Sequence, residues 1–189
     1  MEKQLEQLTP LAQRAFAAAL AQRMMPNFIL FAELTEQSEA GHALQSALDT
    51  VWEKLLTPKA KINFEKQQLK LEELEPQPDD HDFFGVYPAL DTYMAVLAVL
   101  AAMQDRDEQP ALDVSRLSRG SVQFYLNIQA ETTLDYSQLD QEPLWLEERD
   151  FQDQLLALLT DDPDEDSFRQ ARQLGRNDGI SNLGIALEE

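Results

Sequence analysis

Apolar residues recur at three- and four-residue spacing through most of this chain, and the places where that pattern stops divide it into helices. Thr9 followed by Pro10 gives an N-cap and a first turn, after which Leu11, Ala12, Ala15, Phe16, Ala19, Leu20 and Met24 fall on one face. Proline has no N–H to donate, so Pro26 predicts the end of this helix. Asn27 is then available to start a shorter one through Phe28, Phe31 and Leu34. Gly41 marks the next predicted break. Leu44, Ala47, Leu48, Val51, Trp52 and Leu55 repeat the pattern, and the helix should stop before Pro58, because the residue preceding proline resists helical geometry. Asn63 predicts the cap of a weaker helix over Phe64 to Leu74, with Lys61 and Glu65 at helix-supporting spacing, closed by Pro76 and Pro78.

The run from Tyr93 to Met103 has no charge, amide, glycine or proline, so as a helix it is hydrophobic on every side and calls for protein all around it. A membrane span needs ~20 apolar residues and this run has eleven, which makes it the centre of a protein core. Pro88 suits its first helical position. After Met103, Gln104 to Gln109 and Pro110 read as a loop. In the next segment Val122, Phe124, Leu126 and Ile128 alternate as in a strand, while Val114, Leu117, Ser121, Phe124 and Ile128 fit a helix. Helix is the better choice over 114–134, since a lone strand has no partner, and Ser118, Gly120 and Ser121 allow close approach to a neighbour. Pro143 opens another helix, with Leu144, Phe151, Leu155 and Leu158 on one face. Asp162 and Pro163, with Glu165 at the third helical position, predict a capping box for a last helix through Phe168, Ala171 and Leu174. The apolar end, Ile180 to Leu187, is expected to dock back on the body. The fold expected is all-α: one domain over 1–189, a bundle of about seven or eight helices around a central apolar helix at residues 88–103.

Composition narrows the functional classes. At 189 residues the chain suits one domain, and with hydrophobic residues at 43% it can bury roughly 70% of its unfolded surface in one core. There is no cysteine, which excludes disulfides, thiolate metal sites and cysteine nucleophiles and fits a reducing compartment. Met1 to Gln7 lack the basic and apolar regions of a signal peptide, so the expected location is cytoplasmic. The net charge of −20 repels phosphate backbones and anionic lipid, which disfavours direct nucleic-acid and membrane binding and favours a basic protein as partner. Between Leu71 and Gln104 there is no Lys or Arg, while Glu72, Glu73, Glu75, Asp79, Asp80, Asp82 and Asp91 fall in that interval.

Candidate chemistry is sparse. Asp79, Asp80, His81 and Asp82, with Asp91 a helical turn beyond Pro88, are where oxygen ligands and an imidazole gather, and carboxylate oxygens suit a divalent cation. Their spacing matches no known ligand loop, and acids ahead of a helix are equally accounted for by capping and the helix dipole, a favourable effect of ~0.3–1 kcal/mol. Arg23 and Glu53 lie beside core positions of two helices, where they form a structural ion pair or line a polar pocket. With Tyr87 and Asn182 they make a second candidate set, for a ligand or partner. Arg169, Arg172 and Arg176 form a basic stripe, with Glu165 placed to pair with Arg169. No phosphate-cradling glycine loop, dinucleotide fingerprint or nucleophile elbow is present.

Arg23-Met24 with Pro26-Asn27-Phe28, Trp52-Glu53, Lys61 with Asn63-Phe64, Asp79-Asp80 with Asp82, Gly85-Val86-Tyr87-Pro88-Ala89, Asp91, and Ser181-Asn182 with Gly184-Ile185 together resemble the YjaG-like bacterial family, domain of unknown function 416. The resemblance spans nearly the whole chain. It implies a small, cytoplasmic, largely helical bacterial protein and carries no catalytic roles with it. Two functions follow as expectations. One is a non-catalytic protein that binds a basic macromolecule without a cofactor, a homodimer being compatible with it; the other is a metal-dependent hydrolase or small-ligand binder using Asp79 to Asp82.

Overall fold

The computed structural model describes residues 1–104 and 109–187. Its helices are, in order, α1 (Glu2–Leu5), α2 (Pro10–Leu34), α3 (Ser38–Leu56), α4 (Phe64–Leu69), α5 (Val86–Ala102), α6 (Pro110–Gln129), α7 (Tyr136–Leu139), α8 (Pro143–Leu159) and α9 (Glu165–Arg176). Among the described residues β-structure is confined to one antiparallel bridge between Ile180 and Ala186. The chain is therefore an all-α bundle, as the spacing of its apolar residues predicts.

Helix α2 is buried without interruption from Ala15 to Phe28. Its alanines explain how: a side chain of one methyl lets α3, α5, α6, α8 and α9 pack on every side of the same rod. The closest approach is at Ala19, where α9 lays Gly175 directly on the α2 backbone; a Cβ on Gly175 would sit 2.6 Å from the Ala19 carbonyl oxygen. By length and composition α2 would pass for a membrane span, yet 83% of its apolar window is buried inside the bundle.

The expected break at Pro26 does not occur. Proline leaves the Gln22 carbonyl without its helical donor, but Pro26 is itself buried, and packing outweighs one missing bond. From α5 the Thr92 hydroxyl reaches the Met24 carbonyl at 3.1 Å in the same turn. Gly41 likewise lies inside α3 rather than before it. A Cβ there would stand 3.5 Å from Ile29 Cγ1, an ordinary contact, so the packing of α3 on α2 tolerates this position inside the helix without requiring glycine. The helix capped by Asn63, whose side chain accepts from Lys66 N at 2.8 Å, ends at Leu69 and gives way to a 3₁₀ turn at Glu72–Leu74. Lys61 precedes that helix, so its spacing to Glu65 lies outside helical geometry. Only Gln104 and Gln109 of the expected 104–109 loop are within the described residues, and Pro110 already starts α6.

Helix α5 sits among α2, α3, α4 and α6. Gly85 is its N-cap and Val86 its first residue, which puts Pro88 at the third position. Proline is tolerated there because the N–H groups of the first turn have no intrahelical acceptor. Val96, Val99 and Leu100 are fully buried, while Met94 is 44% exposed, so one side of this apolar helix faces out. Segment 114–134 is helical to Gln129. The capping signal before α9 is displaced: Asp164, not Asp162, accepts from Ser167 N at 2.9 Å. A true capping box occurs at Asp135 and Gln138, ahead of the short α7.

Candidate functional site

Two polar arrangements stand out. The first is buried and ties four segments together. Arg23 of α2 donates from Nη1 to Glu148 Oε2 of α8 at 3.0 Å, with both side chains almost wholly buried. Glu148 Oε1 accepts from Ser118 Oγ of α6 and from Gln152 Nε2, each at 2.6 Å, and Gln152 Oε1 accepts from Ser115 Oγ. The C-terminal segment enters through Asn182, whose Nδ2 donates to the Ser118 carbonyl and hydroxyl and whose Oδ1 accepts from Asn27 Nδ2 at 2.9 Å. Burial pushes the Glu148 carboxyl up and the Arg23 guanidinium down, and their mutual attraction opposes burial on both. The guanidinium also lies 4.2 Å from the centre of the Phe151 ring, a cation–π contact. A network this enclosed serves the fold: Arg23, Ser118 and Gln152 converge on the Glu148 carboxylate, and Ser115, Asn182 and Asn27 join through them.

The second arrangement is open. Between α5 and α6 runs a groove of about 570 Å³, and Asp91 lies in it. Helical spacing puts Tyr87 and Asp91 one turn apart on α5; on α6 the same spacing puts Ser121 beside Phe124. Tyr87 and Phe124 are 42% and 40% exposed, and their rings meet edge to face with centroids 5.3 Å apart. Leu90 and Leu117 complete an apolar lining, and Gly120, whose Cβ position faces open space, leaves the groove unobstructed. Asp91 accepts a short hydrogen bond from the Ser121 hydroxyl and has no ion-pair partner among the described residues. Burial pushes its carboxyl above the ordinary aspartate range, and the Ser121 bond only partly opposes this. At the rim Arg116 is engaged with Glu2 through two bonds of 3.1 and 3.2 Å, so it does not neutralise Asp91.

The other sequence-selected residues are dispersed. Asp79 and Asp80 are exposed in a 3₁₀ turn at Pro78–Asp80, and Asp82 is exposed. His81 packs its ring against Phe31 and Phe83 with centroids 5.0 and 5.7 Å apart. Among the described residues no three His, Asp or Glu side chains are grouped to hold a metal ion. Arg23 pairs with Glu148 rather than with Glu53, which is exposed on α3. Arg23 and Asn182 thus belong to the buried network, while Tyr87 and Asp91 meet in the groove. Arg169 pairs with Glu165 and Asp166, and Arg172 with Asp49 at 2.7 Å. The sequence pattern places Ser121 and Phe124 on a helix but marks neither them nor Glu148 as site residues; the small residues of α6 signal close packing, not hydrogen bonds.

The chain belongs to the DUF416 family, proteins of unknown function, whose sequence profile matches residues 1–186. An uncharacterized protein of Haemophilus influenzae is 34% identical over 192 residues, covering 100% of this chain and 98% of the relative. The uncharacterized protein YjaG of Escherichia coli is 31% identical over 188 residues, covering 98% and 95%. The crystal structure of a DUF416 family protein from Shewanella baltica superposes with a TM-score of 0.90 at 32% identity, covering 99% of this chain and 98% of that one.

Proposed function

We propose that this protein is a non-catalytic, cytoplasmic binding protein that receives a basic segment of a protein partner in the groove between α5 and α6. The observation that carries this reading is Asp91: a partly buried carboxylate, bonded to Ser121 and without an ion-pair partner among the described residues, in a groove that two half-exposed aromatic rings also line. A lysine ammonium or arginine guanidinium meets that carboxylate at the groove floor, while its aliphatic stem lies on Tyr87 and Phe124. A cation against an aromatic face contributes about 0.5–1 kcal/mol at exposed sites and ~2 or more once desolvated. The net charge of −20 supports the same class of partner by steering basic chains toward the surface.

The test is titration with an Arg- and Lys-containing peptide at low and high salt, beside the Asp91→Asn and Phe124→Ala variants. Affinity is expected to fall with ionic strength and to drop about tenfold or more in Asp91→Asn, as for loss of a charge-assisted hydrogen bond. Binding that is equally strong in Asp91→Asn would mean diffuse surface attraction and would sink the groove as its site.

A further inference from the structure

The side of α5 that the described helices leave open is patterned for another helix. Tyr87, Leu90, Met94 and Leu97 follow one another along it at alternating three- and four-residue spacing, the spacing of a helix–helix seam, and Met94 is 44% exposed. Across the groove Leu117, Phe124 and Ile128 mark one side of α6, where Ile128 is 48% exposed. From Leu117 to Ile128 this apolar strip is about 16 Å long, roughly three helical turns. Gly120 lies within it, exposed, and a Cβ there would meet nothing within 4 Å. Glycine weakens an exposed helix interior relative to alanine, and no described neighbour requires it here. The close approach of a helix from outside does.

The form of the occupant follows from its backbone. An extended peptide laid on two helices finds no strand edge to bond, so its N–H and C=O groups would leave water without partners. A helix bonds its own backbone and brings only side chains, which pack between the rows of α5 and α6 as ridges into a groove. Asp91 stands between the turns of Tyr87 and Met94 and has no ion-pair partner among the described residues, which calls for a cation on that helix. A second copy of this chain is the poorer occupant. It would bring a further charge of −20, and a symmetric pairing of the two faces would set one acidic groove against the other.

We propose that the groove seats a basic amphipathic α-helix of the partner, with its apolar stripe on Tyr87, Met94 and Phe124 and a lysine or arginine at Asp91. This rests on the groove being the site of a basic partner and adds the form in which that partner binds. The probe is a peptide of about 18 residues made of leucine, alanine and lysine, with the leucines on one helical face. Its control has the same composition in an order that spreads leucine over every face. The amphipathic peptide is expected to bind the full chain about tenfold tighter than the control or better, and to gain helix on binding in circular dichroism difference spectra. Gly120→Leu fills the strip at a position with room for a side chain, so it should leave the melting temperature unchanged or higher and weaken the amphipathic peptide about tenfold or more. Equal binding of the two peptides, both dependent on Asp91, would overturn the helical form while leaving the groove its basic partner. Binding indifferent to both Asp91→Asn and Gly120→Leu would remove the groove itself as the site. A dimer in sedimentation that Gly120→Leu dissociates would give this face to a second copy and overturn the proposal as well.

Discussion

Burial disfavours the charged form of Asp91. Its folded-state pKa lies above the unfolded value because burial outweighs the Ser121 bond. The stability it contributes is therefore fully present below the unfolded pKa and is lost as pH rises through the folded one. Asp91→Asn keeps an acceptor for Ser121 and removes the charge, so it should melt higher than the wild type at neutral pH, the gap closing on acidification. Melting curves in which the variant is the less stable at neutral pH would contradict this account. The exposed acids Asp79, Asp80 and Asp82 behave otherwise: each changed to Asn should alter stability by less than about 0.5 kcal/mol, as at ordinary surface positions. Gly85→Ala should cost about 1 kcal/mol in urea unfolding, because the new methyl displaces the Phe83 ring from its stack on Phe31. The φ of −55° at Gly85 shows that close approach, not a left-handed backbone, is what requires glycine. Tyr87 and Asp91 were legible in the sequence as an aromatic and an acid at the start of an apolar helix. Their partners Ser121 and Phe124 were not, since only folding brings α6 across α5.

Among the helices, α9 makes the least forgiving contact. Gly175→Ala sets a methyl against the α2 backbone at Ala19, where no rotamer change relieves it. Overpacking of this kind costs about 1–3 kcal/mol, occasionally more. The loss should exceed that of Gly85→Ala; urea midpoints in the opposite order would show that α9 slides without penalty. This contact has no sequence signature, since glycine inside a helical pattern reads as neutral or as a breaker. The same ambiguity explains Gly41 and Pro26, both read as breaks and both found within helices, because local propensity yields to burial. Periodic segments such as α3 and α8 were legible, α5 was legible as an unbroken apolar run, and α6 was helical despite an alternating stretch. The four-residue α7 is too short to show a period at all.

At the scale of the molecule, the network around Glu148 joins α2, α6, α8 and the segment after α9. Glu148→Gln leaves Arg23 as an uncompensated buried charge, a loss of about 3–5 kcal/mol, whereas Glu53→Gln on the surface should be almost silent. Equal effects in calorimetry would mean that the buried pair contributes no more than an exposed acid. Added salt should raise the melting temperature, since it screens the mutual repulsion expected at a net charge of −20. A melting temperature indifferent to ionic strength would show that the acids are already neutralised by local pairing. The bond from Asn27 to Asn182 spans 155 positions of chain, and it has a consequence for synthesis. A ribosome adds roughly 5–20 residues per second, so α2 emerges on the order of ten to thirty seconds before Asn182 can reach it. Throughout that interval an apolar helix long enough to cross a bilayer waits for its covering, which makes the nascent chain a client for chaperones and a competitor for membrane insertion.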